Sequence, residues 1–271
     1  MSVTAGQGTT VGFGALATTL ALFTFLVMLA VLGDRWGGHF APLPDFAAYK
    51  QVSDRKAAFI EYLTPIVEYH NDRILAERSR LLKIQNGIAD GRPLSYSQLR
   101  WLKQLADQYG VDWSEDQLFK VIQELSSRVD IVPVQLAVVQ AAKESSWGRS
   151  RYAVQVNNMF GEWCYRKGCG IVPKDRSNGA RHEVRRFPTV SASTRSYIHN
   201  LNSHRNYSSL RNLRKDLRDR GRDIEGGDLV EGLLLYSERR QQYVDEIRSM
   251  IKQYSYFLRQ QARAGRVIKG A

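Results

Sequence analysis

The sequence is short of cysteine, of acidic residues and of long apolar segments. It has 2 cysteines among 271 residues. Only one apolar run is long enough to cross a bilayer, which together with a mean hydropathy of -0.37 excludes a membrane protein with several spans. Hydrophobic residues still make up 43% of the chain, enough to bury a core, so wholesale disorder is excluded as well. The length indicates one or two domains.

The deficit of acidic residues leaves a strongly basic chain. Against 39 Lys and Arg there are 27 Asp and Glu, so the formal net charge is +12. This charge predicts an anionic partner, which could be nucleic acid, a phospholipid surface or an acidic cell-wall polymer. No recognisable nucleic-acid motif accompanies it, and we expect no nucleic-acid partner. Much of the excess lies in residues 204–223, which are typical of an amphipathic helix with a solvated basic face.

The single long apolar run covers residues 11–33 and carries no charged side chain. About 20 apolar residues suffice to span the hydrocarbon core as a helix, so we expect a transmembrane anchor here after an N-terminal tail at 1–10. A cleaved signal peptide is the alternative, but the tail lacks the basic residues that such a peptide carries. A linker rich in Gly and Pro follows at 34–45. The basic residues Arg35 and Lys50, taken alone, favour a cytoplasmic domain, although large domains are translocated largely regardless of charge.

An almost uniformly apolar run precedes Glu144. The residues from 132 to 146, VPVQLAVVQAAKESS, are typical of a helix buried on all sides, with a proline at its start. A carboxylate at the end of such a helix is costly unless it is paired, hydrogen-bonded or protonated. Desolvation raises the pKa of a carboxyl group, as a general acid working near neutral pH requires. Pairing of Glu144 with a nearby arginine is the alternative interpretation.

Amide and aromatic side chains follow this acid. Asn157 and Asn158 precede Met-Phe-Gly at 159–161, and Trp163 and Tyr165 come next. Flat rings stack on sugar faces, and amides offer a donor and an acceptor to hydroxyl and N-acetyl groups, so the segment is typical of a carbohydrate groove. Taken singly, Trp163 and Tyr165 are read more simply as packing residues.

Several motifs resemble those of one enzyme family. The segments ESSWG at 144–148 and NMFG at 158–161 are similar to the E-S-x-W-G and N-L-F-G signature of the glucosaminidase domains of glycoside hydrolase family 73, which includes FlgJ-like flagellar hydrolases. An LPDF…RKxxFxxYLxPIV prelude at 43–67 and a W-C-Y-x-x-G-C-G insert at 163–170 resemble the Bax-type branch more closely. Further similar elements run to the closing segment YSERRQQYVDEIRSMI at 236–251.

The resemblance implies a mainly α, lysozyme-like α+β fold, in which a glycan-binding groove separates a helical lobe from a small β-hairpin lobe. A helical prelude at 46–125 would pack on a glucosaminidase domain at 126–256, followed by a basic tail at 257–271. The implied activity is hydrolysis of the β-1,4 bond after N-acetylglucosamine in peptidoglycan, without cofactor or metal. Glu144 falls on the family's general acid and Tyr197 on its active-site tyrosine. We expect these residues to contact the glycan: Trp147, Asn158, Phe160, Gly161, Trp163 and Tyr207.

The second catalytic group is where the sequence departs from the family pattern. Inverting glycosidases place a base about 6.5–9.5 Å from the acid, and retaining ones place a nucleophile at about 5–5.5 Å. Family members often carry a Glu shortly before an Asn-Gly hairpin turn. Here Asp175 precedes the turn at 177–179 and Glu183 lies on the returning strand. Either could be the base, or the substrate's N-acetyl oxygen could attack while Tyr197 stabilises the charge. Salt bridges to Arg176 or Arg185 are the structural alternative for both acids.

The two cysteines, Cys164 and Cys169, are spaced to close a small disulfide loop, which fits an exported domain. A metal site would need further ligands, of which His182 is the nearest candidate. We therefore expect a single-pass protein of the bacterial inner membrane with its soluble domain in the periplasm, whose partners are peptidoglycan strands and, through the anchor, the membrane. No protein partner is indicated.

Two other functions remain open on the sequence. A lytic transglycosylase also uses one glutamate on a lysozyme-like fold, but such enzymes carry a G-L-M-Q-like loop where this chain has NMFG at 158–161. A peptidoglycan-binding envelope protein that has lost turnover is the other, because the second carboxylate departs from the family pattern.

Overall fold

The computed structural model describes residues 40–268 apart from 175, 177 and 178. This part of the chain is mainly helical with one small antiparallel sheet, and the residues from Ala41 onward form one compact unit. The predicted anchor at 11–33 and the tail before it lie outside the described residues. Within the described residues, no helix combines the length and the apolar character needed to span a membrane.

The prelude consists of three helices: α1 (Val52–Ala89), α2 (Tyr96–Tyr109) and α3 (Leu118–Arg128). The side chain of Ser95 accepts a hydrogen bond from the backbone of Gln98, whose side chain bonds back to Ser95, so α2 begins with a capping box. The second half of α1 packs with α2 and α3 around a shared apolar cluster that includes Leu81, Leu102 and Leu125. These contacts hold the prelude together.

Helix α4 (Val134–Glu144) lies at the centre of the fold. Its apolar residues from Leu136 onward are buried, as the sequence predicted, and it packs against α1 on one side and the helix that begins at Gln241 on another. The helix begins one residue later than expected, because Pro133 takes the N-cap position. Glu144 is the last residue of α4 and is therefore presented at the helix end from inside the core.

Short elements follow α4. Helix α5 (Arg151–Val156) leads into strands β1 (Trp163–Cys164), β2 (Gly170–Ile171) and β3 (Glu183–Arg185). The predicted hairpin pairs β2 with β3, with Ile171 opposite Val184, but β1 adds a third strand on the other edge of β3. Gly170 allows the close approach of β2 to β3, because a Cβ there would lie 1.8 Å from the carbonyl oxygen of Val184.

The part of the chain after the sheet is mostly helical. Helix α6 (Val190–Ser203) is followed by a 3-10 turn at Arg205–Tyr207, α7 (Ser208–Asp219), α8 (Gly226–Leu229), a second 3-10 turn at Val230–Leu233 and α9 (Gln241–Ile268). Helices α8 and α9 both contact α4. Helix α9 thereby brings its first turns to the end of α4.

The sequence predicted that the basic side chains of helix α7 are exposed to solvent, but not all of them are. Arg211 and Arg214 are buried, at 4% and 1% exposure, and point into the protein. Arg214 donates to the backbone oxygen of Ile131 at 2.7 Å, and Arg218 bonds the buried carboxylate of Asp130 at 2.9 Å. Part of the basic excess therefore holds α7 against the loop before α4, because these guanidinium groups donate to carbonyl and carboxylate oxygens that are buried there.

Candidate active site

A tight left-handed turn ends α4 immediately after Glu144. Ser145 donates its hydroxyl to the Ala141 oxygen at 2.6 Å and accepts the Gly148 N–H at 2.8 Å. Ser146 and Trp147 have positive φ values of 52° and 59°, which L-residues seldom adopt. Gly148 continues the turn at φ 77°. The ESSWG motif thus acts as a helix stop that fixes the direction of the Glu144 side chain.

The carboxylate of Glu144 is partly buried and hydrogen-bonded. The hydroxyl of Tyr243, in the first turn of α9, donates to Glu144 Oε1 at 2.8 Å. Burial raises the pKa of Glu144 above its usual value, while the Tyr243 hydrogen bond and the nearby charges of Lys143 and Arg239 act in the opposite direction. The net direction is upward, as a group that must carry a proton requires.

A chain of hydrogen bonds extends behind Glu144. The Tyr197 hydroxyl donates to Gln140 Oε1 at 2.6 Å, and Gln140 Nε2 donates to the Tyr243 oxygen at 2.9 Å. Gln140 is fully buried and Tyr197 is 2% exposed. Burial raises the pKa of both Tyr197 and Tyr243, so both hydroxyls keep their protons. Four residues from α4, α6 and α9 therefore form one continuous series.

Glu144 opens onto a cavity of about 330 Å3. Its lining comprises Lys143, Glu144, Tyr236, Ser237, Arg239 and Tyr243. Of these six residues, Glu144 alone carries a carboxylate. Lys143 and Arg239 both pair with Glu246 on α9, with Arg239 holding its two carboxylate oxygens at 2.7 and 2.9 Å. The cavity wall is therefore polar, and ion pairs with Glu246 hold its two cationic side chains in place.

The loop at 158–161 lies against the carboxylate. A Cβ on Gly161 would lie 3.6 Å from Glu144 Oε2, and the φ of 69° at this position favours glycine. Asn158 is buried and spends its amide on the backbone: Nδ2 donates to the oxygens of Glu162 and Arg185 at 2.8 and 2.9 Å, and Oδ1 accepts the Glu162 N–H. Asn158 thus shapes the loop, whereas the sequence suggested contact with the glycan.

Buried aromatic rings pack against this loop. Phe160 is 4% exposed and stacks on Tyr197 with ring centroids 3.9 Å apart. Its backbone oxygen accepts the Tyr236 hydroxyl at 2.9 Å. Tyr207 is buried and its ring lies 6.1 Å from that of Tyr236. The structure therefore places Phe160, Tyr197 and Tyr207 in the support of the site, whereas the resemblance implied glycan contacts for Phe160 and Tyr207 and an active-site role for Tyr197.

The two tryptophans predicted to bind the glycan lie in different places. Trp147 packs edge-on against Phe59 of α1 at 5.6 Å, with the Lys56 ammonium 5.1 Å from its ring centre. Its position is that of a packing residue, because the left-handed turn directs it toward the prelude. Trp163 is half exposed on β1 and stacks on His182 at 3.9 Å. Trp163 therefore presents a flat aromatic surface on the small sheet.

Glu183 holds the loop between β1 and β2. Its two carboxylate oxygens accept the backbone N–H groups of Gly168 and Gly170 at 2.9 and 2.8 Å. These hydrogen bonds hold the pKa of Glu183 below its usual range. Cys164 and Cys169 form a disulfide across the same loop. Both oxygens of Glu183 are thus engaged in supporting the loop, and Asp175 lies outside the described residues.

Sequence reasoning missed Gln140, Tyr236 and Tyr243. Gln140 stands one helical turn before Glu144, on the same face of a run that is otherwise apolar. A lone amide inside a buried helix must find hydrogen-bond partners, and this was the available signal for it. Tyr236 and Tyr243 belong to the closing segment at 236–251, whose tyrosines matched the family pattern without an assigned role.

Comparisons with known proteins give a consistent result. Residues 119–256 match the glucosaminidase family, described as mannosyl-glycoprotein endo-beta-N-acetylglucosaminidase. The chain is also similar to Protein bax of Escherichia coli (strain K12), at 33% identity over 201 residues, which covers 74% of this chain and 70% of that protein. No solved structure matches the chain.

Proposed function

Because the chain belongs to the glucosaminidase family, as its motifs predicted, we propose that it is a peptidoglycan hydrolase that cleaves the β-1,4 bond after N-acetylglucosamine. The observation that carries the proposal is the Glu144 carboxyl, partly buried at the end of α4, hydrogen-bonded by Tyr243 and open to a polar cavity. In this proposal the helical part of the chain and the small sheet serve as the two lobes of a lysozyme-like fold.

Glu144 acts as the general acid in this proposal. Its raised pKa keeps it protonated at a higher pH than an exposed glutamate, so that it can protonate the glycosidic oxygen as the bond to the anomeric carbon breaks. The leaving sugar departs as a neutral alcohol and Glu144 is left as the carboxylate. Lys143 and Arg239 then stabilise that negative charge from the cavity wall.

Two routes supply the second half of the reaction. In the first, Asp175 activates a water molecule, or attacks the anomeric carbon to form a glycosyl ester that water then hydrolyses. In the second, the carbonyl oxygen of the substrate's N-acetyl group attacks that carbon to form an oxazolinium ion, which water then opens. Asp175→Asn removes cleavage in the first route and leaves it in place in the second. Inhibition by a thiazoline analogue of the oxazolinium ion would support the second route.

The exposed aromatic surface on the sheet supports glycan binding. Trp163 is 50% exposed and Tyr165 73% exposed, and both follow directly on the loop that borders Glu144. Stacking on sugar rings would explain such exposure, because large aromatic side chains otherwise tend to be buried. Asn158 and Trp147, by contrast, contribute to binding indirectly. Asn158 shapes the loop at 158–161, and Trp147 holds the turn that follows Glu144.

We place the soluble domain in the periplasm, anchored by residues 11–33 as a single span of the inner membrane. The Cys164–Cys169 disulfide supports an oxidising compartment, and peptidoglycan is reached only from that side. A C-terminal fusion to a reporter that is active only in the periplasm tests the orientation. An inactive fusion that is nevertheless produced in full would reject it.

The central experiment is digestion of purified peptidoglycan by the protein and by its Glu144→Gln variant, followed by mass spectrometry. We expect fragments with reducing-end N-acetylglucosamine from the protein and at least about 100-fold less from the variant. Fragments ending in 1,6-anhydro-N-acetylmuramic acid would identify a lytic transglycosylase instead. Binding without fragments would identify a non-catalytic envelope protein.

Glu77→Gln is a matched control for that experiment. Glu77 is also partly buried and also accepts a tyrosine hydroxyl, from Tyr109 at 2.8 Å, but it lies in the prelude. Its substitution changes the same functional group in a comparable setting away from the cavity. We expect Glu77→Gln to leave the fragment yield within about threefold of the unsubstituted protein.

A further inference from the structure

The hydrogen bonds behind Glu144 have directions that their chemistry fixes. An amide oxygen only accepts and an amide nitrogen only donates, whereas a tyrosine hydroxyl does both. The Tyr197 hydroxyl lies 2.6 Å from Gln140 Oε1, a distance typical of an O–H donor, and Gln140 Nε2 lies 2.9 Å from the Tyr243 oxygen, a distance typical of an N–H donor. Since Gln140 donates to Tyr243, the hydroxyl proton of Tyr243 must point toward Glu144.

This direction distinguishes the two oxygens of Glu144. Oε1 accepts the Tyr243 hydroxyl at 2.8 Å, so it is the poorer place for a proton. Oε2 lies on the other side, next to Gly161 and the loop at 158–161. The arrangement leaves Oε2 as the oxygen that carries the proton.

We propose that Gln140 is a positioning residue: held by Tyr197, it turns the Tyr243 hydroxyl onto Glu144 Oε1 and so assigns the acidic proton to Oε2. The role rests on the proposed function of Glu144 as the general acid. Gln140 itself is fully buried within α4 and does not line the cavity, so it acts through Tyr243.

The charged groups near Glu144 are not changed by substitutions at Gln140 or Tyr197. Lys143 and Arg239 line the same cavity, and Glu246 pairs with both. None of the three bonds Gln140 or Tyr197. Substitutions in the series therefore change the hydrogen bonding of Glu144 while the surrounding charges stay in place.

The decisive variant is Tyr197→Phe, because Tyr197 is three hydrogen bonds away from Glu144. Without its donor, the Gln140 oxygen is free, the amide can rotate, and the Tyr243 hydroxyl turns from Glu144 to Gln140. Glu144 then loses the hydrogen bond that favours its charged form. We expect its pKa to rise by about one unit, measured by carbon-13 NMR of the carboxyl carbon in the full chain, with Glu144→Gln assigning the signal.

A double-mutant cycle shows whether Gln140 transmits the effect. In a Gln140→Met background, Tyr243 keeps Glu144 as its acceptor whatever stands at position 197, so Tyr197→Phe adds nothing. In a Tyr243→Phe background Glu144 has already lost this donor, so Tyr197→Phe should again leave the Glu144 pKa unchanged. This second cycle can replace the first if Gln140→Met does not fold. Tyr236→Phe is the matched control: it removes a buried hydroxyl from the same aromatic group, but one that donates to the Phe160 oxygen.

An unchanged Glu144 pKa in Tyr197→Phe overturns the proposal, and so does a rise that persists in the Gln140→Met background or appears equally in Tyr236→Phe. The titration uses no substrate. If Tyr197→Phe raises the Glu144 pKa only when Gln140 is present, but peptidoglycan is not cleaved, the positioning role of Gln140 stands and the hydrolase proposal is rejected. If peptidoglycan is cleaved in a Glu144-dependent way, but the pKa does not depend on Tyr197 and Gln140, the hydrolase proposal stands and the positioning role is rejected.

Discussion

Phe46 lies directly against Gly148. A Cβ at position 148 would be 2.4 Å from the Phe46 ring, and Phe46 is itself only 1% exposed. The start of the prelude is thus packed under the turn that ends α4, four residues from Glu144. The motif LPDF at 43–46 and the motif ESSWG at 144–148 therefore pack against each other through Phe46 and Gly148.

Gly148→Ala should destabilise the protein by about 3 kcal/mol, because it combines a left-handed backbone with a clash against a buried ring. Gly221→Ala is the control, since Gly221 also has a positive φ, 62°, but no atom within 4 Å of its Cβ position. It should cost only about 1 kcal/mol. Urea unfolding followed by circular dichroism measures both. Equal costs would show that the Phe46 contact contributes nothing.

Lys143→Met should extend activity to higher pH. Lys143 lowers the pKa of Glu144 by its charge, so its loss raises that pKa. A general acid works in its protonated form, and activity falls as pH rises through its pKa. The descending limb of kcat/KM should therefore move upward by about 0.5 pH unit. Lys143→Arg keeps the charge and should leave the limb in place, whereas a downward movement in Lys143→Met would contradict the assignment of Glu144 as the acid.

His70 should make the stability depend on pH. Its ring Nε2 lies 2.9 Å from both the carbonyl oxygen and the hydroxyl of Ser191 on α6, and burial lowers its pKa from 6.5 to about 4, with the charges of Arg195 and Arg73 adding to the effect. The native state therefore favours the neutral ring, and the unfolded chain binds the proton first as pH falls. Stability due to His70 is complete above pH 6.5 and is lost down to about pH 4.

That loss is on the order of 3 kcal/mol. His70→Gln, which cannot titrate, should be less stable than the unsubstituted protein at pH 7.5, and the difference should shrink as the pH is lowered to 4. Denaturant midpoints across this range measure it. A difference that stays constant with pH would mean that His70 titrates normally in the folded protein.

Glu183→Gln separates a structural from a catalytic role for this residue. A glutamine offers one oxygen where the carboxylate accepts the N–H groups of both Gly168 and Gly170. We expect the amide hydrogens of these glycines to exchange about tenfold faster, with little change in kcat. A fall in kcat of about 100-fold or more with unchanged exchange would restore Glu183 as a catalytic base.

The sequence predicted the residues whose role depends on local pattern. The apolar run of α4 and the burial of its final carboxylate follow from residues near one another in the chain, and so does the disulfide of two cysteines five positions apart.

What escaped prediction depends on distant partners. Gln140 bonds Tyr197, 57 positions away, and Tyr243, 103 positions away, so nothing near it in sequence reveals the direction of its amide. Asn158 was expected to contact the glycan because an amide offers both a donor and an acceptor; in the structure the loop folds back, and both amide atoms bond its own backbone. Side-chain type indicates what a residue is able to do, and the tertiary fold decides which of its possible partners it meets.

The hydrogen-bonded series behind Glu144 also has a consequence in time. The acid is synthesised 99 residues before Tyr243, which supplies its hydrogen-bond donor. Until the start of α9 has emerged from the ribosome and docked on α4, Glu144 has neither that donor nor a complete cavity around it. A chain whose synthesis has not yet reached α9 therefore carries the acid without the arrangement that governs its proton, and α9 is the helix that completes the site.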